Sequence, residues 1–127
     1  MLKAIIVDSN AISRGLLNTV LTDGGYEVAG QAHTGANAYA LAVKYHPHIA
    51  CIAREQVEDG SEIVERLRAD LPKTLIFMVS GTLDAAAIQS AMGRGVHGFI
   101  VKPFKADAVL KTIRNTVMAI VKKHRGA

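Results

Sequence analysis

Short apolar segments alternate five times with segments of helical pattern, and this alternation limits the folds open to the chain. The apolar runs are Lys3 to Val7, Tyr26 to Ala32, Ile49 to Ala53, Leu75 to Val79 and Val96 to Val101. Short runs rich in β-branched residues, separated by helices, are typical of a parallel sheet with helices on both faces. We therefore predict a three-layer, doubly wound α/β domain built from five strand–helix units.

The segments between these runs carry start and stop signals for helices. The predicted helices are one capped by Asn10 and stopped by Gly24, then Ala36 to Tyr45, about Ser61 to Leu71, Leu83 to Met92, and Ala106 to about Lys123. The last helix is expected to bury Val109, Leu110, Ile113, Val117 and Ile120, which recur at helical spacing. The residues from Arg54 to Gly60 are predicted to form a polar turn.

Length and composition favour one intracellular domain. A chain of 127 residues fits a single domain, so residues 1–127 are expected to form one unit with no output domain. No apolar run approaches the roughly 18 residues of a membrane span, and the start of the chain does not resemble a signal peptide. Cys51 lies inside an apolar run and is expected to be a core residue, which fits a reducing cytoplasm.

The net charge of +4 is concentrated at the end of the chain. Residues 74–127 hold eight basic and two acidic side chains and finish with Lys122, Lys123, His124 and Arg125. Two interpretations stay open: a solvated helix end, and a surface for an acidic partner or nucleic acid. Nucleic acid is the less favoured of these partners, because no aromatic residues interleave the charges and no DNA-binding motif follows them.

Lys102 ends the fifth apolar run and is followed at once by Pro103. Proline lacks a backbone donor and disfavours helix at the residue before it, so the strand is expected to stop at Lys102. A lysine at the carboxyl end of a parallel strand is suited to holding an anion, since open α/β sheets bind ligands there. The alternative is a surface lysine beside an edge turn.

Several polar residues are expected to meet at one edge of this sheet. In a flavodoxin-like sheet of order 2-1-3-4-5, the carboxyl ends of strands 1, 3, 4 and 5 lie side by side. The residues arriving there are Asp8, Ser9, Ala53, Arg54, Ser80 and Lys102. A single carboxylate is a poor site for Mg²⁺, which needs hard oxygen ligands, so we expect weak or absent Mg²⁺ binding, no other cofactor and no resident metal.

A series of motifs resembles the receiver domain of response regulators, the CheY-like family, over essentially the whole chain. The motifs, in order, are Ile5 to Asp8, Gly24 to Val28, Pro47, Asp59-Gly60, Val79 to Gly81, Gly95 to Phe99 and Val101 to Phe104. The resemblance implies two-component or phosphorelay signalling. In that family, an aspartate at the end of strand 3 is phosphorylated, with Mg²⁺ held by it and by an acidic pair after strand 1.

The chain departs from this pattern at two positions. Asp8 matches the first acid of the pair, but Ser9 stands where the second is expected. Ala53 falls at the acceptor position when counted from Pro47, and counting back from Gly60 gives Ile52, so neither register supplies a carboxylate. The family's switch residues are matched by Ser80, Phe99 and Lys102.

These departures imply a stand-alone pseudo-receiver, a non-enzymatic module that binds proteins without phosphorylation. The resemblance places its partner face on the fourth helix, fifth strand and last helix, with residues Ile88, Phe99, Lys105, Lys111 and Arg114. Expected partners are a histidine kinase, an output protein, another regulator or a second copy, and not a membrane. Two alternatives remain: a receiver phosphorylated on Glu55 or Asp59, and a binder of a nucleotide or nucleic acid through its basic last third.

We further predict that a cation from Arg54 or Lys102 pairs with Asp8 and fixes one conformation without phosphate. The alternative for Arg54 is a solvated loop residue. His46 and His48 flank Pro47 with no nearby Cys or acid, so we expect helix-end and strand-start roles for them instead of metal binding.

Overall fold

The computed structural model describes the backbone of residues 1–125 and the side chains of residues 1–123. Its strands are β1 Lys3–Val7, β2 Glu27–Ala32, β3 Ile49–Ala53, β4 Leu75–Ser80 and β5 Gly98–Val101. Its helices are α1 Ala11–Asp23, α2 Gly35–Tyr45, α3 Arg54–Val57, α4 Ile63–Asp70, α5 Ala85–Arg94 and α6 Ala106–Arg125. The side chains of His124 and Arg125, from the basic cluster noted above, lie outside the described part of the chain.

The five strands form one parallel sheet in the order β2-β1-β3-β4-β5, which confirms the predicted flavodoxin-like architecture. Every residue of the central strand β3 is buried, because helices cover both faces of the sheet. On one face, α1 and α6 pack through residues such as Leu17 and Ile113. On the other face, α2, α4 and α5 pack through residues such as Ala42, Leu67 and Ala91.

Side-chain caps fix where several helices begin. The Asn10 side chain accepts a hydrogen bond from the Ser13 N–H at 3.0 Å, as its cap role predicts. Asp84 accepts from the Ala87 N–H at 2.8 Å. The helix predicted from Leu83 therefore begins at Ala85, two residues later, because the Asp84 cap ends the extended segment before it.

The predicted polar turn after β3 is wrong in its first half. Residues Arg54–Val57 form the short helix α3, in which Gln56 and Val57 are buried. The charges of Arg54 and Glu55 concealed this helix in the sequence, since its inward-facing positions span only one turn. The chain then turns at Gly60, whose φ of +86° lies in the left-handed region that glycine favours.

Two apolar patterns are less buried than their spacing indicates. In α6, Val109 and Ile113 are buried as predicted, but Leu110, Val117 and Ile120 are only partly buried. In α1, Ile12 and Leu16 are exposed, while Leu17 and Leu21 face the core. Both helices have apolar stripes wider than the surface that the sheet offers them.

Cys51 is fully buried in β3, as predicted. Burial raises the pKa of its thiol to about 12, so the thiol stays protonated and acts as a small apolar side chain. Among the helices of the described chain, none combines the length and apolar character needed to cross a membrane.

Candidate functional site

The carboxyl ends of four strands meet at one edge of the sheet, and we call the region between them the crevice. Asp8 follows β1, Ala53 ends β3, Ser80 ends β4, and Lys102 follows β5. The Lys102 N–H donates to the Ser80 carbonyl oxygen at 2.9 Å, so the parallel pairing of β4 and β5 continues up to the lysine. The parallel sheet thus brings these four residues to the same edge, as the sequence predicts.

Asp8 is buried, with 5% of its surface exposed, and both of its carboxylate oxygens have donors. Oδ1 accepts from the Asn10 N–H at 2.9 Å, and Oδ2 accepts from the Lys102 Nζ at 3.1 Å. The lysine side chain is 27% exposed and the aspartate side chain 7%. The pairing of Asp8 with Lys102, one of the two predicted options, is confirmed.

Arg54, the other cation proposed for Asp8, points elsewhere. Its Nε lies 3.1 Å from Glu58 Oε2, and its NH1 donates to the Thr82 carbonyl oxygen at 3.2 Å. Because Arg54 begins α3, its side chain reaches across to the segment that follows β4. Arg54 therefore links the two segments that follow β3 and β4. The option that Arg54 pairs with Asp8 is wrong, and Arg54 is a partly exposed residue of a short helix instead of a loop residue.

Ser80 is held by the same segment. Its hydroxyl donates to the Thr82 carbonyl oxygen at 2.7 Å and accepts from the Thr82 N–H at 3.2 Å. Thr82 thus accepts hydrogen bonds from both Ser80 and Arg54. Sequence reasoning missed Thr82, since its contribution is a backbone carbonyl that no side-chain pattern reveals.

Arg14 is a second residue that sequence reasoning missed. Its NH1 donates to the backbone carbonyl oxygen of Asp8 at 2.6 Å. The signal was available, because Arg14 lies in the first turns of the helix that follows Asp8. Two cations, Arg14 and Lys102, therefore contact Asp8, one at its backbone carbonyl oxygen and one at its carboxylate.

The remaining candidates lie on the rim. Ser9, Glu55 and Asp59 are exposed, and Asp59 accepts a turn hydrogen bond from the Ser61 N–H at 2.9 Å. Ala53 is fully buried and presents only a methyl group at the end of β3. The structure therefore brings together Asp8, Ala53, Ser80 and Lys102, with Arg54 across the loop, and leaves Ser9 at the surface.

The predicted partner face maps onto α5, β5 and α6. Lys105, Lys111 and Arg114 are exposed there, while Ile88 and Phe99 are partly buried. Phe99 packs against the core cluster beneath α5. Ala87, the residue before Ile88, is buried, because its position in α5 faces the sheet.

This fold and crevice define a class, the doubly wound α/β proteins whose functional residues gather at the carboxyl edge of a parallel sheet. Residues 4–114 match the family model of the response regulator receiver domain. The chain belongs to the response regulator receiver domain family, the receiver modules of two-component signalling.

Individual relatives agree with this assignment. The chain is 31% identical to the chemotaxis protein CheY of Listeria monocytogenes, over 89% of this chain and 96% of that protein. It is 29% identical to CheY of Bacillus subtilis, over 91% and 97%. It is also similar to the crystal structure of the chemotaxis response regulator CheY4 of Vibrio cholerae, with a TM-score of 0.82, 29% identity, and coverage of 91% and 98%.

Proposed function

We propose that this receiver domain acts without phosphorylation, as a non-enzymatic protein-interaction module held in one conformation by its own side chains. The observation that carries the proposal is the pair of Lys102 with Asp8, beside the methyl group of Ala53. In the family pattern, the acceptor aspartate is expected where Ala53 ends β3. An alkyl side chain has no oxygen to attack a phosphodonor.

We infer that Mg²⁺ binds this crevice weakly or not at all. Mg²⁺ requires several oxygen ligands in near-octahedral geometry. Here Asp8 is the single buried carboxylate among the described residues of the crevice, and its two oxygens already accept from Asn10 and Lys102. Ala53 offers no oxygen, so the donor set does not fit this ion.

The loop contacts support a fixed state. In a phosphorylated receiver, the resemblance assigns the hydroxyl after strand 4 and the lysine after strand 5 to the switch. Here the Ser80 hydroxyl bonds to Thr82 within its own loop, and Arg54 holds the same carbonyl oxygen. Lys102 is engaged by Asp8. Ser80 and Lys102 thus each have a hydrogen-bond partner inside the chain.

The partner face is the surface through which we propose that this module works. Receiver domains interact with signalling proteins such as kinases and output domains. Lys105, Lys111 and Arg114 are exposed on these elements, while Ile88 and Phe99 are half-buried. Exposed charge together with small apolar areas suits a protein contact. We propose a signalling protein or a second copy as the partner, in the cytoplasm.

Incubation with a small phosphodonor and Mg²⁺, followed by intact mass, tests the proposal. The chain is expected to keep its mass, while a phosphorylated species would be about 80 Da heavier. The matched variant is Ser9→Asp with Ala53→Asp, which restores both missing carboxylates beside Ser80 and Lys102 and is expected to gain the adduct. An adduct on the unchanged chain that maps to Glu55 or Asp59 would overturn the proposal.

A further inference from the structure

A groove lies at the opposite edge of the sheet, where the strands begin. The helix α6 has 20 residues, so it is about 30 Å long, whereas the four-residue strand β5 beside it is about 13 Å long. The end of α6 therefore extends past the sheet and forms one wall of a groove of about 990 Å³. Its apolar lining includes Ile49 and Leu75 from strand starts, and Val117 and Ile120 from α6.

The polar side chains of this groove are all basic. Those that line it in the described part of the chain are His48, Arg68, Lys73, His97 and Lys123. No acidic side chain is among the described lining residues. The groove therefore combines an apolar surface with a one-sided positive field, which raises the local concentration of anions.

The backbone fixes the orientation of both histidines. The His48 N–H donates to the Lys3 carbonyl oxygen at 2.9 Å, and the Lys3 N–H donates back to His48 Nδ1 at 2.9 Å. His97 makes the same reciprocal pair with Ile76, at 2.8 Å and 3.0 Å.

An imidazole nitrogen that accepts an N–H carries no hydrogen, so the proton of each neutral ring is on Nε2. No described residue accepts a hydrogen bond from the Nε2 of His48 or His97. Each ring therefore keeps one oriented N–H donor in a position that lines the groove. For His97, burial and the nearby Arg68 lower the pKa, which keeps the ring in this neutral form.

We propose that this groove binds a long-chain carboxylate, that is, a fatty-acid anion. The two imidazole Nε2–H groups and the cations of Arg68, Lys73 and Lys123 receive the carboxylate, and the hydrocarbon chain lies against Leu75 and the inner face of α6.

The lining excludes other occupants. A phosphate would leave the apolar lining in water, and a nucleotide would bring a ribose and polar base edges against apolar side chains that offer them no hydrogen bonds. A second copy would bring the same positive charge to the contact. The volume is at the upper end of the range of small-molecule sites, about 300–1,000 Å³. The site is remote from Asp8, so it does not depend on the function proposed above. A ligand in this groove contacts α6, which also carries Lys111 and Arg114.

Titration of the full chain with dodecanoate, below its critical micelle concentration, tests the proposal by calorimetry and by amide chemical shifts. Saturable binding is expected, with shifts centred on Leu75, Val117 and Ile120. Affinity should rise about fourfold for each added CH₂ from octanoate to dodecanoate, as expected for burial of hydrocarbon. Dodecanol, which has no carboxylate, should bind at least about tenfold more weakly.

Two charge variants separate the groove from general electrostatics. Lys73→Glu with Lys123→Glu changes two exposed groove residues and should weaken dodecanoate binding about tenfold, since each reversal replaces an attraction with a repulsion. The matched control, Lys105→Glu with Lys111→Glu, changes the net charge equally at exposed positions outside the groove and should leave the affinity within about twofold.

Three results would overturn the proposal: no saturable binding, no dependence on chain length, or equal weakening by the two variants. Binding of polyglutamate in place of dodecanoate would assign the groove to an acidic protein segment and would also overturn it.

Discussion

The Asp8–Lys102 pair allows a quantitative test of whether this crevice stabilises itself. Two unit charges 3.1 Å apart attract by about 5 kcal/mol at the effective dielectric constant of about 20 that suits partly buried sites. Desolvation of both ions offsets much of this attraction. Lys102→Met leaves the buried Asp8 carboxylate with the Asn10 backbone N–H as its remaining hydrogen-bond donor. We therefore expect a loss of about 2 kcal/mol in the free energy of unfolding.

Asp8→Asn should cost less, about 1 kcal/mol, because Lys102 is 27% exposed and its ammonium group can reach water. The double variant should lose less than the sum of the single losses, with a coupling energy of about 1 kcal/mol. Urea unfolding followed by far-ultraviolet circular dichroism measures all three, since the chain has no tryptophan. Lys105→Met, at an exposed lysine, is the control and should stay within about 0.5 kcal/mol of the unchanged chain.

Asp8→Asn more stable than the unchanged chain would refute this reasoning. It would mean that burial of the carboxylate costs more than the lysine returns. A Lys102→Met variant with unchanged stability would lead to the same conclusion. Either result would mean that the Asp8–Lys102 pair does not stabilise the crevice around Ala53.

Three further variants test the packing and the edge of the sheet where the strands begin. Gly98→Ala would place a Cβ 2.8 Å from a Phe77 ring carbon and should cost about 1–3 kcal/mol in urea unfolding. Gly93→Ala, whose Cβ would meet no other part of the structure within 4 Å, should stabilise the helix by about 0.5–1 kcal/mol. The pKa of His97 is lowered in the folded state, so below the ordinary value of 6.5 the folded state binds fewer protons than the unfolded chain. The contribution of neutral His97 to the free energy of unfolding is therefore complete above pH 6.5 and falls as the pH drops below it. Other basic groups face the ring across the groove, namely Arg68 on α4, and Lys73, Lys123 and His48 on neighbouring elements. The variant His97→Asn keeps an acceptor for the amide at the start of β4 without titrating, so its stability should depend less on pH in this range; an unchanged slope would exclude His97 as the cause.

The layers and strand order could be predicted because the apolar runs report burial directly. The strand β3, for example, is buried throughout, so its sequence is continuously apolar and cannot be mistaken for the alternating pattern of a surface strand. The first residue of a helix was harder to predict where an apolar residue stands directly before the capping residue, as Leu83 does before Asp84. The short helix α3 was missed because Gln56, a polar residue, occupies an inward position.

The choice between Arg54 and Lys102 could not be made from the sequence. Both follow strands whose carboxyl ends lie at the same edge of the sheet as Asp8, so topology alone allows either cation to approach the carboxylate. The direction of the side chain decides, and for Arg54 it depends on α3, whose existence the sequence did not indicate. The groove was missed for a related reason: its wall exists only because α6 extends beyond the sheet, which no local pattern reports.

The Asp8–Lys102 contact joins residues 94 positions apart, and their strands are not neighbours in the sheet, because β3 and β4 lie between them. We therefore predict that the contact closes late on the folding pathway, after the central strands have assembled. Interactions formed after the transition state slow unfolding and leave the folding rate nearly unchanged. In this chain, the Asp8–Lys102 pair of the family's signalling crevice is therefore expected to lower the rate at which the native sheet unfolds.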